Sequence, residues 1–181
     1  MRNKYTRVQI LWGIAHILMI GSGVLVLWNP GEKLVSIAIW LGLSMLIAGS
    51  INIIIYKRAE KSLYGAQWLL ADGMVTILLS VFPLFNKMLL PAILPFFFGV
   101  WELFSGILKV IESRELEKEE IQEWEWFCGI GCIEILSGVA ALLKPVEEFM
   151  GMHVVVAIIF FVQSCGFLFK IMIYPKITKE G

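Results

Sequence analysis

Few side chains in this 181-residue chain could do chemistry, and the ones that could lie inside apolar runs. Glu134 lies in FCGIGCIEILSGVAALLKP, residues 127–145. Asp72 lies in ADGMVTILLSVFP, and Glu102 in FGVWELFSG. His16 and Gln163 occupy similar places in WGIAHILMIGSG and FFVQSCG. A carboxylate at the centre of a lipid-spanning helix costs about 2.5–3.5 kcal/mol on insertion scales, so such residues turn to the interior of a bundle. Two chemistries fit. A carboxyl that keeps its proton can bridge helices by a hydrogen bond. Alternatively, Asp72, Glu102 and Glu134 can exchange protons along a proton or ion relay, with His16 as a further carrier. A lipid or small-molecule site is a third use. Three acids against one histidine cannot all be ionised and paired, so some are expected to be neutral or hydrated.

Helical spacing places these acids on stripes of small residues. Glu134 shares a side with Gly131, Ser137, Gly138 and Ala141, and Glu102 with Gly99, Ser105 and Gly106. Asp72 shares one with Thr76 and Leu79. Counting back eleven residues from Pro30, Pro83 and Pro145 gives Met19, Asp72 and Glu134. Asp72 and Glu134 are therefore expected at one depth, about 16 Å from the turn. Glu102, eleven residues after Pro91, is expected near that depth. Lys109 and Lys170, close to helix ends, are expected to snorkel to the surface.

The elements that carry these residues are six apolar segments, at about 10–28, 34–55, 65–83, 90–110, 126–143 and 153–173. The chain is 59% hydrophobic and 17% charged, against roughly 45–50% and 25% in soluble domains. Each segment approaches the roughly 20 residues that a helix needs to cross a bilayer. None shows the alternation of a barrel strand. The sequence thus predicts an all-α polytopic membrane protein of six transmembrane helices in one domain, 1–181. The run after MRNKYTR is long, and no A-x-A-like site follows it, so it is expected to be an uncleaved anchor. Twelve of the fifteen Lys and Arg residues fall on the side of the termini, and only Lys33, Lys87 and Lys144 on the other. That bias predicts both termini in the cytoplasm. The acidic stretch 112–125 is then a cytoplasmic connector, expected to be solvated; a helical extension is the alternative, with Leu116, Ile121 and Trp124 near the membrane surface. Trp28, Trp68, Trp124 and Trp126 are expected in an interfacial belt, and Trp40 and Trp101 as packing residues. Cys128, Cys132 and Cys165 form no disulfide or zinc pattern and are expected to be small packing residues.

The outer turns WNPGEK, FPLFNK and LLKPVEE resemble one another, each with a proline where a helix should stop. The chain thus divides into hairpin repeats at about 10–55, 65–110 and 126–173. Small residues recur seven apart in every helix: Ala15 and Ser22, Gly42 and Gly49, Gly73 and Ser80, Gly99 and Gly106, Gly131 and Gly138, Ala157 and Ser164. Such stripes let backbones approach closely in lipid. GSGVLVLWNP, ADGMVTILLSVFP and IEILSGVAALLKP, followed by LGLSMLIAGS and FGVWELFSG, resemble the HdeD family of bacterial inner-membrane proteins. The resemblance covers about 10–173. The sixth helix departs from it, having Gln163 and Gly166 but no glycine seven residues before. The resemblance implies a role in acid and stress resistance and brings no catalytic residues.

The residues themselves point away from an enzyme. There is no G-x-S-x-G and no H-E-x-x-H, and neither EE pair, 119–120 or 147–148, is followed by the arginine of an EE-x-x-x-R protease motif. Two histidines without acid-rich coordination spacing suggest no metal, and no cofactor is expected. A net charge of zero gives no footprint for nucleic acid. The expected partners are the lipid bilayer and either a second copy or other membrane proteins. The expected function is that of a non-enzymatic bacterial inner-membrane protein linked to acid or stress tolerance. The alternative is a small proton- or ion-coupled transporter or channel using the buried carboxylates.

Overall fold

A computed structural model describes residues 2–28, 33–59, 62–85, 93–143 and 151–178. Six helices follow in order: α1 (Arg2–Trp28), α2 (Lys33–Ala59), α3 (Ala66–Phe85), α4 (Leu94–Lys118), α5 (Trp124–Leu142) and α6 (Met152–Ile173). Each is long and apolar enough to cross a membrane, and together they make a multi-pass membrane protein. Among the described residues the one extended pairing is an isolated bridge between Leu63 and Thr178. Pro30, Pro91 and Pro145 lie outside the described residues. Pro83 does not end its helix: α3 runs on to Phe85. A proline removes one backbone donor, and a transmembrane helix near its end tolerates that loss.

Both faces of the helices are apolar, so hydrophobicity alone does not choose the inner one. On α1, Ile10, Ile14, Ile17 and Val24 face outward, while Val8, Trp12, Ala15, Met19 and Val26 are buried. On this helix every isoleucine lies outside, while Trp12, Ala15, Met19 and Ser22 lie inside. Trp101 is buried as expected, but Trp40 is not: it joins Ile39 and Leu43 on the outer face of α2. Cys132 and Cys165 are also outside, and Cys128 is half-buried, so packing does not explain them.

Each helix packs on its sequence neighbours, and α6 closes on α1. The closest backbone approaches use the seven-spaced small residues, and they join helices of successive hairpins. A Cβ on Gly49 would stand 2.8 Å from the carbonyl oxygen of Gly73, and one on Gly73 would stand 2.8 Å from that of Gly49. The α4/α5 seam repeats this at two levels: Gly106 faces Gly131, and Gly99 faces Gly138, with Cβ-to-carbonyl distances of 2.7–3.0 Å. Ala15, Ser22, Ala157 and Ser164 are all buried, and Ser22 Oγ donates to Ser44 Oγ of α2 at 3.0 Å. On the α1/α6 seam a Cβ on Gly23 would stand 2.8 Å from the Phe161 ring, and Ser164 Oγ lies 3.2 Å from the His16 carbonyl oxygen. A ring of Trp101, Phe98 and Phe160 fills the space between α4 and α6.

The stretch 112–125 follows the alternative expectation, a helical extension, as far as Lys118, with part of its surface exposed. Helix α4 continues through it to Lys118, burying Glu112, Ser113 and Leu116. It ends in a reversed turn: Glu120 takes a left-handed φ of 57°, the Glu120 N–H donates to Glu117 O at 3.0 Å, and the Ile121 N–H donates to Leu116 O at 3.1 Å. The 5→2 and 6→1 pair is the Schellman pattern, completed by apolar residues at its two ends, Leu116 and Ile121. Glu115 accepts from the Gly65 N–H at 3.3 Å, Gln67 Nε2 at 2.9 Å and Trp68 Nε1 at 2.8 Å. Glu123 pairs with Lys176. The charge run is thus a clasp that holds the α2–α3 connection and the segment after α6. Burial of Leu116 and Ile121, the apolar residues of that extension, outweighs the charge of the stretch.

Candidate functional site

The polar residues inside the bundle follow from the glycine seams. Where backbones touch, the next turn inward has room for one polar pair. Asn52 lies three residues after Gly49, and Lys109 three residues after Gly106, so both occupy the same position on their helices. Each reaches the carboxylate of the following helix. Asn52 Nδ2 donates to Asp72 Oδ2 at 2.8 Å. Lys109 Nζ donates to Glu134 Oε2 at 2.7 Å and stands 2.6 Å from Oε1.

Asp72 ties four helices together. Its Oδ1 accepts from Ser105 Oγ of α4, while Asn52 accepts from Trp12 Nε1 of α1 at 3.3 Å. Thr76, expected on the same face, receives the Trp101 indole N–H at 2.9 Å. The Lys109–Glu134 pair is buried at both ends and abuts α6. A Cβ on Gly166 would lie 2.9 Å from Glu134 Oε1 and 3.1 Å from Lys109 Cε. Gly166 is therefore glycine because the ion pair fills the space a side chain would need. One turn further along α6, Lys170 Nζ stands 4.0 Å from Glu112 Oε2 and lies over the Phe127 ring at 5.8 Å.

Lys109 and Lys170 do not snorkel. Both are buried, because a carboxylate partner inside removes the reason to reach for water. Their positions were legible: Lys109 stands seven residues after Glu102, and Lys170 seven after Gln163, on the same stripes. Proximity to the helix ends points the other way, and the spacing is what the bundle follows. Asn52 and Ser105 gave a weaker signal, being polar residues common in any chain.

Asp72 and Glu134 meet neighbouring residues of α4: Asp72 Oδ1 accepts from Ser105 Oγ, and a Cβ on Gly106 would stand 2.9 Å from Glu134 Cβ.

The remaining two candidates part company. His16 hydrogen-bonds on the α1/α6 seam, with its Nδ1 2.7 Å from Ser164 Oγ. Gln163 instead faces Glu102. Glu102 is buried, with Ser137 Oγ 3.1 Å from its Oε1. Glu102 Oε2 and Gln163 Nε2 have no hydrogen bond among the described residues. The arrangement can hold helices together through Asp72 and Glu134, and it leaves Glu102 with capacity to bind something else. Among the described residues, no three His, Cys, Asp or Glu side chains converge as a metal site.

Residues 14–85 and 71–143 each match the family described as short repeat of unknown function (DUF308). The matches begin 57 residues apart, the same interval that separates Gly42 from Gly99 and Gly49 from Gly106. No curated protein and no solved structure matches the chain. The repeat unit recognised by the family is thus the one that sets the glycine seams, and the chain, matched over 14–143, belongs to the short-repeat family DUF308.

Proposed function

We propose that this protein is a non-enzymatic component of a bacterial cytoplasmic membrane, with both termini cytoplasmic and a role in acid or stress tolerance. The role is the one its resemblance to HdeD implies, and DUF308 is the family to which HdeD belongs. It works by packing, with itself or with partner membrane proteins. The observation that carries this reading is the Lys109–Glu134 pair at 2.6 Å, sealed under Gly166. A carboxylate held by an ammonium and backed by a helix is used to hold helices, not to visit substrate. The test is survival of an acid challenge by a strain lacking the protein, complemented with wild type or with Glu134→Gln. Restored survival by wild type alone supports the reading; equal survival of all strains sinks it. A reporter active only outside the cytoplasm, fused after Glu120, is expected to stay silent.

A second reading, a small proton- or ion-coupled transporter, draws on Glu102, whose Oε2 has no donor among the described residues. Proteoliposomes under an imposed pH gradient separate the two. Flux that is lost in Glu134→Gln or Asp72→Asn favours transport. Flux no greater than in empty liposomes, with both variants folded, favours packing.

A further inference from the structure

Cys128 and Cys132 are nucleophilic side chains that neither the glycine seams nor the interior acids use. They stand four residues apart on the outer side of α5, Cys128 half-buried and Cys132 exposed. A free cysteine packs as a small apolar residue, and its reactivity rather than its packing gives it a use. The two thiols hydrogen-bond each other, so both sulfurs turn to the same spot beside the helix. Trp124 lies one turn before Cys128 on the same stripe, and the Arg114 guanidinium of α4 stands over its ring at 6.0 Å. From there Arg114 acts electrostatically on Cys128. The pair thus lies one and two turns into α5, just past the clasp of Glu123 with Lys176.

Spacing decides what the pair can bind. Residues four apart on an α-helix have Cβ atoms about 5–6 Å from each other, and a disulfide requires about 3.5–4.5 Å. While α5 stands, the two sulfurs do not bond each other. One ion between them fits, because two metal–sulfur bonds of about 2.3 Å in line span about 4.6 Å. Thiolates select soft ions: zinc, iron–sulfur clusters and cuprous copper. Structural zinc and the clusters take four ligands, and among the described residues no third His, Cys, Asp or Glu converges here. The soft ion that two ligands in line satisfy is Cu(I).

We propose that Cys128 and Cys132 form a binding site for one Cu(I) ion on the outer face of the bundle. Two copper–sulfur bonds form, two S–H bonds break, and both protons leave to water at the membrane edge. Copper enters and stays as Cu(I), so no electron is transferred. The copper dithiolate carries one net negative charge, and Arg114 is the cation beside it. Arg114 also pairs with Glu117 at 3.0 Å in solvent, so its contribution is partial. The site shares no residue with the Lys109–Glu134 and Asn52–Asp72 pairs. It stands or falls independently of acid tolerance or transport.

Anaerobic titration of the full-length protein in detergent with Cu(I), in competition with the coloured chelator bicinchoninate, tests it. The chains compared are wild type, Cys128→Ser, Cys132→Ser and Cys165→Ser. Wild type and Cys165→Ser are expected to hold one ion per chain, with two sulfur neighbours by copper X-ray absorption. Cys128→Ser and Cys132→Ser are each expected to lose the ion to the chelator; should a serine variant unfold, alanine at the same position replaces it. No copper held by wild type overturns the proposal, as does copper held equally well without Cys128 and without Cys132. Loss of the ion in folded Cys165→Ser overturns it too. A wild-type ion with one sulfur neighbour, or with more than two, overturns it without recourse to any variant.

Discussion

The α2/α3 and α4/α5 seams are built on one plan and closed by different chemistry. Both bring glycines to backbone contact, Gly49 with Gly73 and Gly106 with Gly131. Both place a polar residue three positions on and aim it at the next helix. In the first seam the pair is neutral amide to carboxyl, Asn52 to Asp72, with Ser105 and Trp12 extending it. In the second it is ammonium to carboxylate, Lys109 to Glu134. The comparison separates two ways of holding helices in a medium without water. A hydrogen-bonded pair adds modestly and fails gently. An ion pair adds little net energy over an apolar pair, yet neither member can be removed alone.

Removing one charge therefore has the largest expected effect. Lys109→Met leaves Glu134 buried beside a thioether and should destabilise the bundle by about 3–5 kcal/mol. Adding Glu134→Leu should recover most of that loss, and equilibrium unfolding in detergent measures both. If the double variant is as unstable as the single, the pair is not the cause. Next comes the wall against which the pair rests. Gly166→Ala puts a methyl 2.9 Å from Glu134 Oε1, and such overpacking costs about 1–3 kcal/mol. The same substitution at Gly129, whose Cβ would meet nothing within 4 Å, should be neutral or stabilising by about 0.5–1 kcal/mol. Equal effects at the two glycines would break the packing argument.

The neutral seam should yield less. Asn52→Leu removes two interhelical hydrogen bonds, one to Asp72 and one from Trp12, and bonds of this kind in membranes average about 0.6 kcal/mol each, with about 1.7 as an upper value. A double-mutant cycle with Asp72→Asn gives the coupling. A value that matches the Lys109–Glu134 cycle would erase the distinction between the seams. The smallest effect is expected outside both, at Arg114. Its pair with Glu117 at 3.0 Å is exposed, so Arg114→Gln should change stability by less than about 1 kcal/mol.

How legible these seams were depended on the kind of signal. The seven-spaced glycines marked the backbone contacts at Gly49, Gly73, Gly99, Gly106, Gly131 and Gly138, because close approach in lipid requires small side chains at helical spacing; which helices meet there was not in the spacing. Asp72, Glu102 and Glu134 were recognisable as interior, since an apolar run gives a carboxylate nowhere else to go. Their partners were not. Lys109 read as a surface residue by its distance from the helix end, and its burial required a carboxylate at the right height on a different helix.

By itself, then, the sequence determined the number of helices, their stripes and the interior placement of the acids. These follow from local rules: apolar length, helical period and the cost of a charge in hydrocarbon. Only the tertiary structure decided which acid meets a lysine, which meets an amide, and which is left without a full set of partners. A pairing depends on the rotation and height of two helices at once, and neither helix's own residues contain that information. Glu102 is the plainest case. It is buried with Ser137 Oγ at 3.1 Å and Gln163 beside it, neighbours that nothing on its own helix foretells.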